Sequence, residues 1–409
     1  MSVKAVLASR IFDPEPAAAS FRLKAVADAL VEQGSEVTVL TSRFENAAPH
    51  STIDNPFVPI ERRKVGNEGR VLRWPVLRDK TGYLRGYVPY VSFDIPLFFR
   101  LLAAGRSDVA LVEPPPTTGF IIRLASGIRR IPYVWYAADV WSDATEIAGA
   151  SVPVVTLVRT LERFTLKGAA GVIAVSEGVA ERVRALGAQN VRVIPNGIDT
   201  DIYHPDVEPL STTELGELGI IGPYLLYAGT ASEWQEAEVF AEAMSHLAND
   251  DTELQVVFVG QGTHWGNIKT AADRLRNELG RDVVIQLPPA TPQRVARLLR
   301  GAELALVSIV PEAGYDFAYP TKVLAALASG TPVLYAGTGP VTDEILANNL
   351  GFISKHEPRA IAETLEAALE PVSKSRMNPK RLHEWVVNNR SLKATGTRAA
   401  QFIRSCAKL

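Results

Sequence analysis

The sequence is poor in cysteine, in net charge and in long apolar runs. Its 409 residues include one cysteine, Cys406, so the chain cannot form an intramolecular disulfide, which suits a reducing compartment. The net charge of −2 gives no overall attraction to nucleic acid. The longest nearly apolar run, 147–158, contains Pro153 and is shorter than the roughly 20 residues of a membrane-spanning helix. A disulfide scaffold is therefore excluded, and a nucleic-acid-binding or membrane-spanning protein is not expected.

The amino-terminal segment MSVKAVLAS is typical of a strand and lacks the basic, apolar and cleavage regions of a signal peptide. We therefore expect a cytoplasmic protein. A content of 47% apolar and 22% charged residues is that of a globular chain, and the length favours two or three domains.

Short β-branched runs alternate with longer helical patterns, which predicts βαβ units and parallel sheets. Predicted strands in the first half are 4–8, 36–41, 108–112, 133–136, 171–175 and 192–194. Those in the second half are 224–228, 255–259, 283–286, 304–308 and 332–335. Apolar helix stripes end at Gly34 and Gly330, residues that suit a left-handed helix stop. The sequence thus predicts an α/β fold of two doubly wound, Rossmann-like domains with a linker around 196–210.

The stretch 46–99 breaks this alternation and is long for a connection inside a compact domain. Residues 61–85 include eight basic and only three acidic residues, and aromatic residues lie among and after them. Two interpretations are open. The stretch 61–99 is a solvated loop over a local hydrophobic cluster, or it contacts an anionic membrane at the inner face of the plasma membrane, or a phosphorylated lipid-linked acceptor.

One lysine in the second half occupies an unfavourable position for its charge. Pro320 suits the first turn of a helix, so Lys322 lies in that turn too, where the helix end is itself partly positive. The conflict, worth roughly 0.3–1 kcal/mol at an exposed site, is removed if an anion lies between Lys322 and the free amides. This pattern favours Lys322 as a phosphate ligand, the alternative being a solvated lysine.

Two glycine-containing loops follow predicted strands of the second half, where doubly wound sheets bind ligands. Gly229 comes directly after a strand, and Ser232 and Gln235 have capping-box spacing for the next helix, whose free amides can hold a diphosphate. The short motif of Gly260 and Gly262 is a weaker nucleotide signal. The alternatives are an ordinary capped helix and a common turn.

In the first half, Asp139 follows the strand YVWYA, where a carboxylate can accept a proton or orient a sugar hydroxyl. A loop or helix-cap aspartate is the alternative. Arg22 follows the proline-rich loop 13–20 and can hold an anionic acceptor group, or it is an ordinary surface arginine. Asp199 and Asp201 form a DxD, but this lies after IPNGI among turn residues, so no metal site is predicted.

Seven segments, taken in order, resemble glycosyltransferase family 4, the retaining GT-B enzymes, in the branch that includes colanic-acid and capsule glycosyltransferases. They are RIFDPEPAAASFRLKAVADALVEQGSEVTVLTSR, ADVWSDA, GVIAVSEGVAERV, VRVIPNGIDTDIYHPD, LLYAGTASEWQ, VVFVGQG and PTKVLAALASGTPVLYAGTG. The resemblance implies an acceptor domain at 1–198, a nucleotide-sugar domain at 199–380 with a cleft between the two, and a helix within 381–409 that crosses back to the first domain.

The resemblance also implies retaining, metal-independent transfer from a nucleoside-diphosphate sugar to a glycan or lipid-linked acceptor in cell-envelope polysaccharide synthesis, with no cofactor and no nucleic acid. It assigns catalytic roles to Asp139 and Lys322. The implied donor-binding residues are Gly229, Thr230, Ser232, Gln235, Gly260, Asp316, Thr321, Lys322 and Glu344. The implied acceptor-binding residues are Asp13, Arg22 and Trp141.

The sequence departs from the family pattern at several donor positions. Many relatives carry two glutamates eight positions apart, where this chain has Phe317 and Ala325, and Glu312 and Asp316 are the nearest substitutes in sequence. Relatives also carry basic residues at the positions of Thr230 and Gln235. A second hypothesis therefore stays open, a catalytically weak GT-B protein that binds a nucleotide-sugar or glycan as a regulatory or scaffold partner. A UDP-sugar 2-epimerase, which shares the two-domain architecture, is the third.

Overall fold

A computed structural model describes residues 2–15, 17–43, 69–78, 86–147, 149–247, 253–313, 318–370 and 377–408. The chain divides into two compact units, one made of Met1–Asn196 with Leu392–Leu409 and the other of Gly197–Ser391. No helix among the described residues is both long enough and apolar enough to span a bilayer.

The first unit has a parallel sheet of seven described strands in the order β3-β2-β1-β4-β5-β6-β7. Its elements up to Asn196 are β1 (Lys4–Ala8), α1 (Ala18–Glu32), β2 (Glu36–Ser42), β3 (Gly69–Trp74), α2 (Tyr87–Ala103), β4 (Val109–Val112), α3 (Pro116–Arg129), β5 (Tyr133–Ala137), α4 (Trp141–Ile147), α5 (Val152–Gly168), β6 (Gly171–Ala174), α6 (Glu177–Ala185) and β7 (Val191–Val193). The central strands are buried on both faces, which is why they appear as continuous apolar runs in the sequence.

The second unit has a parallel sheet of six described strands in the order β10-β9-β8-β11-β12-β13. Its elements are α7 (Thr212–Glu217), β8 (Tyr224–Thr230), α8 (Glu238–Leu247), β9 (Gln255–Gln261), α9 (Trp265–Leu279), β10 (Val284–Leu287), α10 (Pro292–Gly301), β11 (Leu304–Ser308), α11 (Thr321–Ala328), β12 (Val333–Ala336), α12 (Pro340–Asn348), β13 (Gly351–Ser354), α13 (Pro358–Leu369) and α14 (Pro379–Arg390). Helix α14 packs on α11 of the same unit. The predicted class, two doubly wound α/β sheets, is confirmed.

The last helix, α15 (Leu392–Ser405), belongs to the first unit and packs along α1. The two helices approach closely, because a Cβ atom placed on Gly396 would lie 2.5 Å from the carbonyl oxygen of Ala25. Ala399, Ala400 and Ile403 of α15 are buried in the core that α1 also lines.

Two edge strands, β3 and β13, were not predicted. The interpretation of 46–99 as an insertion was wrong in part, because this stretch contains β3 and most of α2, which are regular elements of the first unit. Strand β3 alternates buried and more exposed residues, but one of the buried ones is Arg73, and with Arg70 it made the strand resemble a basic loop. The basic and aromatic residues at 61–68 and 79–85 lie outside the described residues.

Candidate functional site

The second unit has a crevice where its chain reverses direction across the sheet. Strand β8 lies beside β11, and the strands that follow each of them run outward to opposite edges. Such a switch point opens a crevice at the carboxyl ends of the two strands. A cavity of about 410 Å³ lies there. Its lining residues are Ile198, Tyr203, Leu226, Ala228, Gly229, Thr230, Val259, Gly260, Gln261, Pro289, Ala290, Val295, Leu299, Ala305, Leu306, Val307, Thr321, Lys322 and Ala325.

Two glycines give this cavity a bare backbone wall. Gly229 and Gly260 pair directly across β8 and β9, with φ angles of +135° and +151°. A Cβ atom on Gly260 would lie 2.0 Å from the carbonyl oxygen of Gly229, and one on Gly229 would lie 2.6 Å from Cε of Lys322. Only glycine fits at either position, so the backbone is free to approach a ligand closely.

Lys322 places a cation at the crevice without a carboxylate partner among the described residues. It is the second residue of α11, whose amino-terminal end has no side-chain cap, so its place in the first turn is as predicted. Its Nζ donates to the hydroxyl of Tyr227 and, at 2.7 Å, to the carbonyl oxygen of Thr230. Burial lowers the pKa of Lys322 to about 7. A partly buried ammonium held only by neutral oxygens is suited to binding an anion.

Tyr227 is the main residue of this site that the sequence did not reveal. It packs between Phe240 and Phe258, and Lys322 Nζ lies 4.1 Å from its ring centroid. Burial, with the charge of Glu238, raises the pKa of Tyr227, so its hydroxyl stays neutral and donates to Thr230 at 2.7 Å. In the sequence Tyr227 is one more apolar residue of a buried strand, and its pattern carries no functional signal.

Five of the predicted donor residues lie together at the cavity. They are Gly229, Thr230, Gly260, Thr321 and Lys322. Asp316 lies outside the described residues, as does Phe317. Ala325, at the position of a family glutamate, also lines the cavity.

Ser232 and Gln235 are in contact, but they do not cap a helix. The Gln235 side chain accepts a hydrogen bond from the amide of Ser232 at 3.0 Å, and the Gln235 amide donates to the carbonyl oxygen of Ser232 at 3.0 Å. Helix α8 begins only at Glu238, so the capping prediction was wrong and the contact closes a turn. The hydroxyl of Ser308, at the end of β11, donates to the Gln235 carbonyl at 2.7 Å and fixes this turn beside the crevice.

Glu344 lies away from the cavity lining. Arg390 donates to both of its carboxylate oxygens, at 2.6 and 2.7 Å, and the guanidinium carbon lies 4.6 Å from the ring centroid of Tyr319. The ion pair links α12 to α14. Its predicted contact with the donor stays a prediction.

In the first unit, Arg22 and Asp139 lie near the carboxyl ends of β1, β4 and β5. Arg22 is buried and donates to Glu113 at 2.8 Å and to Asn196 at 3.4 Å, so it is not an ordinary surface arginine. Asp139 is exposed and forms no hydrogen bond in the described part of the chain. Desolvation by the surrounding protein nevertheless raises its pKa, and the charge of Arg22 opposes the shift.

Trp141 begins α4, and its ring meets that of Tyr90 edge to face at 6.3 Å. Glu162, rather than Asp139, caps this helix, because its carboxylate accepts from the amides of Trp141 and Ser142 at 2.9 and 3.0 Å. The carbonyl of Asp13 accepts a hydrogen bond from Arg73. Of the predicted acceptor residues, Arg22 and Trp141 therefore both lie near the carboxyl ends of the strands of the first sheet.

The DxD of the second unit forms a turn, as expected from its neighbours. Asp199 Oδ1 accepts from the amides of Asp201, at 2.9 Å, and Ile202, at 3.3 Å. Among the described residues, no group of three or more histidine, cysteine or acidic side chains is arranged to hold a metal ion.

These features define a doubly wound protein whose second unit has a crevice suited to an anion, and comparisons with known proteins show its family. Residues 19–197 match the family described as "Glycosyl transferase 4-like domain", and residues 222–371 match "Glycosyl transferases group 1". The chain therefore belongs to the GT-B glycosyltransferases of this family 4 type.

Individual relatives are distant. The chain is 26% identical over 360 residues to a D-inositol 3-phosphate glycosyltransferase of Nocardia farcinica, and the alignment covers 83% of this chain and 74% of that protein. A sucrose-phosphate synthase from Thermosynechococcus elongatus has a similar structure, with a TM-score of 0.69, 16% identity and 98% of both chains covered. The Anabaena protein HepE in complex with UDP-glucose has a TM-score of 0.66 and 15% identity, with 98% of this chain and 99% of that chain covered.

Proposed function

We propose that this glycosyltransferase takes its sugar from a UDP-sugar and transfers it, with retention at the anomeric carbon and without a metal, to a glycan or lipid-linked acceptor of the cell envelope. One observation carries the proposal. The ammonium of Lys322 lies beside the bare backbone of Gly229 and Gly260, at the carboxyl ends of β8 and β11, with no carboxylate to neutralise it among the described residues. A diphosphate supplies the missing negative charge.

The preference for UDP rests on the walls of the cavity. No acidic side chain is among the described residues that line it, whereas the donor groups on the ring edge of guanine call for an acceptor such as a carboxylate. The Anabaena relative was solved with UDP-glucose. Tyr203 and Pro289 offer apolar surface for a base.

In the proposed reaction the bond between the anomeric carbon and the diphosphate oxygen breaks while the acceptor oxygen bonds to the same face of the sugar. The acceptor proton passes to the departing phosphate oxygen, and UDP leaves. Lys322 acts on the charge that develops on the leaving group, which is where electrostatic stabilisation lowers a barrier. Because Lys322 already supplies positive charge at the diphosphate, we propose that no metal is required there. Asp139 orients the acceptor hydroxyl.

The experiment is turnover of UDP-, GDP- and dTDP-sugars, with and without EDTA. We expect slow hydrolysis of a UDP-sugar, unchanged in EDTA, and faster release of UDP when an acceptor is added. Loss of activity in EDTA would contradict metal independence. An inverted product would contradict retention.

A catalytically weak binding protein is the second candidate, and Ala325 is the observation that favours it. It lines the cavity at a position where many family members carry a carboxylate. Tight UDP-sugar binding with no hydrolysis and no transfer would select this candidate. The epimerase hypothesis loses support, since both family matches are to glycosyltransferase domains.

We also propose peripheral contact with an anionic membrane, at the inner face of the plasma membrane, through α2. Val88, Val91, Ile95 and Phe99 recur at helical spacing and are 65%, 49%, 54% and 62% exposed. The only acidic residue of α2, Asp94, is buried. A groove near the end of this helix is lined by the cationic residues Lys4, Arg70, Arg100 and Arg106 together with Glu36. An exposed apolar stripe beside basic residues suits an anionic interface.

Vesicle flotation tests this contact. We expect the protein to float with phosphatidylglycerol vesicles at low salt but not with phosphatidylcholine vesicles, and Ile95→Glu to abolish flotation. Ile221→Glu, at an 83% exposed position of the second unit, is the matched control and is expected to float normally. Equal flotation of the two variants would remove α2 from the membrane contact.

A further inference from the structure

The first sheet has its own switch point, and the polar groups there are not used by the donor site. Strand β1 lies beside β4, and the strands that follow each run to opposite edges of the sheet. Ser9 and Arg10 come directly after β1, and Glu113 comes directly after β4. Doubly wound sheets bind ligands at this place.

Arg10 is a buried cation with unsatisfied donors. It is 8% exposed, and its Nε and Nη1 atoms have no hydrogen-bond partner. Its guanidinium carbon lies 3.9 Å from the ring centroid of Tyr90, and it forms no ion pair within the described part of the chain. Burial lowers the pKa of Arg10, while Tyr90, Asp94 and Glu113 oppose the shift.

Asp94 is a buried acid with an unsatisfied acceptor close to Arg10. It is 4% exposed, and Thr118 donates to its Oδ1 at 2.6 Å, while Oδ2 has no partner. The hydroxyl of Thr117 is also buried without a partner. Burial raises the pKa of Asp94, opposed by the hydrogen bond from Thr118 and by the charge of Arg10.

Each unsatisfied buried polar group costs about 1–3 kcal/mol, so a cluster of them on three elements calls for an occupant. The occupant must accept hydrogen bonds from the guanidinium and donate one to the carboxylate. A pair of neighbouring hydroxyl groups does both. A phosphate oxygen accepts but does not donate, and it would face Asp94 as a like charge.

The net charge of this region also favours a neutral occupant. Arg22 is neutralised by Glu113 at 2.8 Å, and Arg10 is balanced by Asp94, so no excess positive charge is left for an anion. Tyr90 and Trp141, in edge-to-face contact, add apolar surface of the kind on which a sugar ring packs.

We propose that Arg10 and Asp94, with Thr117, form a subsite that binds neighbouring hydroxyl groups of a neutral sugar or polyol ring of the acceptor. The subsite deepens the proposed glycosyl transfer and rests on it. Any phosphate carried by the acceptor lies outside this subsite. Arg10 and Asp94 are positioning residues here and take no part in breaking the donor bond.

The test separates acceptor recognition from donor chemistry. The wild type, Arg10→Gln and Asp94→Asn are each assayed in two ways. The first assay measures donor hydrolysis without acceptor. The second measures transfer to two neutral compounds, glucose and myo-inositol, and to two phosphorylated ones, glucose 6-phosphate and D-inositol 3-phosphate. We expect a neutral compound to serve as acceptor. Both variants are expected to raise its KM at least tenfold, with donor hydrolysis and UDP affinity within about twofold of wild type. Arg163→Gln, an exposed arginine of α5, is the matched control.

Because Arg10 and Asp94 are buried, melting curves accompany these assays, and Thr117→Val supplies a near-isosteric third variant that is expected to raise the acceptor KM. If the wild type hydrolyses a UDP-sugar but the variants leave the acceptor KM unchanged, the subsite is wrong and the proposed function stands. Use of the phosphorylated compounds alone would also overturn the subsite. If the wild type neither binds UDP nor hydrolyses a UDP-sugar, the proposed function itself fails.

Discussion

Within the proposed donor site, Lys322 is the residue on which we expect binding to depend most. Replacing it by methionine keeps the bulk of the buried chain and removes the charge. We expect UDP affinity to fall by about 10- to 150-fold, since a charged hydrogen bond contributes roughly 1.5–3 kcal/mol. Calorimetry with UDP measures the change. Lys269→Ala, on the exposed face of α9, is the control, and equal affinities in the two variants would exclude Lys322 from the site.

The same residue predicts a pH dependence of binding. The folded pKa of Lys322 is about 7, so the ammonium is present below that value and is lost above it. UDP-glucose affinity is therefore expected to be highest near pH 6 and to fall as the pH rises through 7 and 8. The stability of the ligand-free protein depends on pH in the opposite direction. The folded pKa lies below the ordinary value of 10.5, so the free energy of unfolding rises with pH between the two. Lys322→Met is expected to flatten both curves.

In the proposed reaction Asp139 acts on the acceptor. We expect Asp139→Asn to lower the rate of transfer by about 10- to 150-fold, because the neutral amide orients the acceptor hydroxyl through a weaker hydrogen bond than the carboxylate, and to leave UDP affinity within about twofold. Transfer assays and calorimetry give the two quantities. Asp28→Asn, on the surface of α1, is the control. Near-normal transfer by the Asp139 variant would make this carboxylate a structural residue.

A candidate donor residue could be predicted from the sequence where its type is unfavourable for the local structure around it. A lysine in the first turn of a helix contradicts the helix dipole, and this singled out Lys322 without knowledge of the fold. Tyr227 obeys the pattern of a buried strand, so nothing distinguished it from its neighbours. Arg10, Asp94 and Glu162 act through contacts between segments far apart in the chain, which only the three-dimensional arrangement of the elements reveals.

At the scale of elements, the pairing of β8 with β9 fixes the shape of the crevice. Gly260→Ala forces a Cβ atom against the carbonyl oxygen of Gly229, at a φ angle that alanine rarely adopts. We expect a lower Tm and weaker UDP binding. Gly266→Ala in α9, where a Cβ atom meets nothing within 4 Å, is the control and is expected to leave UDP binding unchanged. If the two variants melted and bound UDP alike, the close strand contact would have no role.

Strand prediction succeeded for the central strands and for the edge strands β7 and β10, and it failed for the other two edge strands, β3 and β13. Central strands such as β4 and β6 are buried on both sides and are therefore apolar throughout, a pattern that is easy to recognise. Residues of edge strands are less completely buried, so an edge strand does not have to be apolar throughout. In β3 the buried Arg73 satisfies its charge through the carbonyl of Ser42, at 3.2 Å, an arrangement that no periodicity indicates. Strand β13 has only four residues, three of them partly exposed.

At the scale of the whole molecule, α15 completes the core of the first unit. We expect a chain that stops at Ser391 to expose the apolar face of α1 and to lose the cooperative unfolding of the first unit. The second unit, which ends at Ser391, should keep its UDP-dependent rise in Tm. Limited proteolysis with and without UDP measures both effects. A truncated chain whose first unit resists protease like the full-length protein would show that α15 is dispensable.

This arrangement has a consequence for synthesis on the ribosome. The segment Gly197–Ser391 is one whole unit inserted into the chain of the other. The first unit therefore cannot complete its core until α15 has been synthesised after this segment. The second unit can therefore finish folding before the first, because all of its residues are synthesised while the first unit still lacks α15. The nascent first unit therefore carries an open apolar groove until α15 has been synthesised, and it is at this stage that we expect a chaperone to engage the chain.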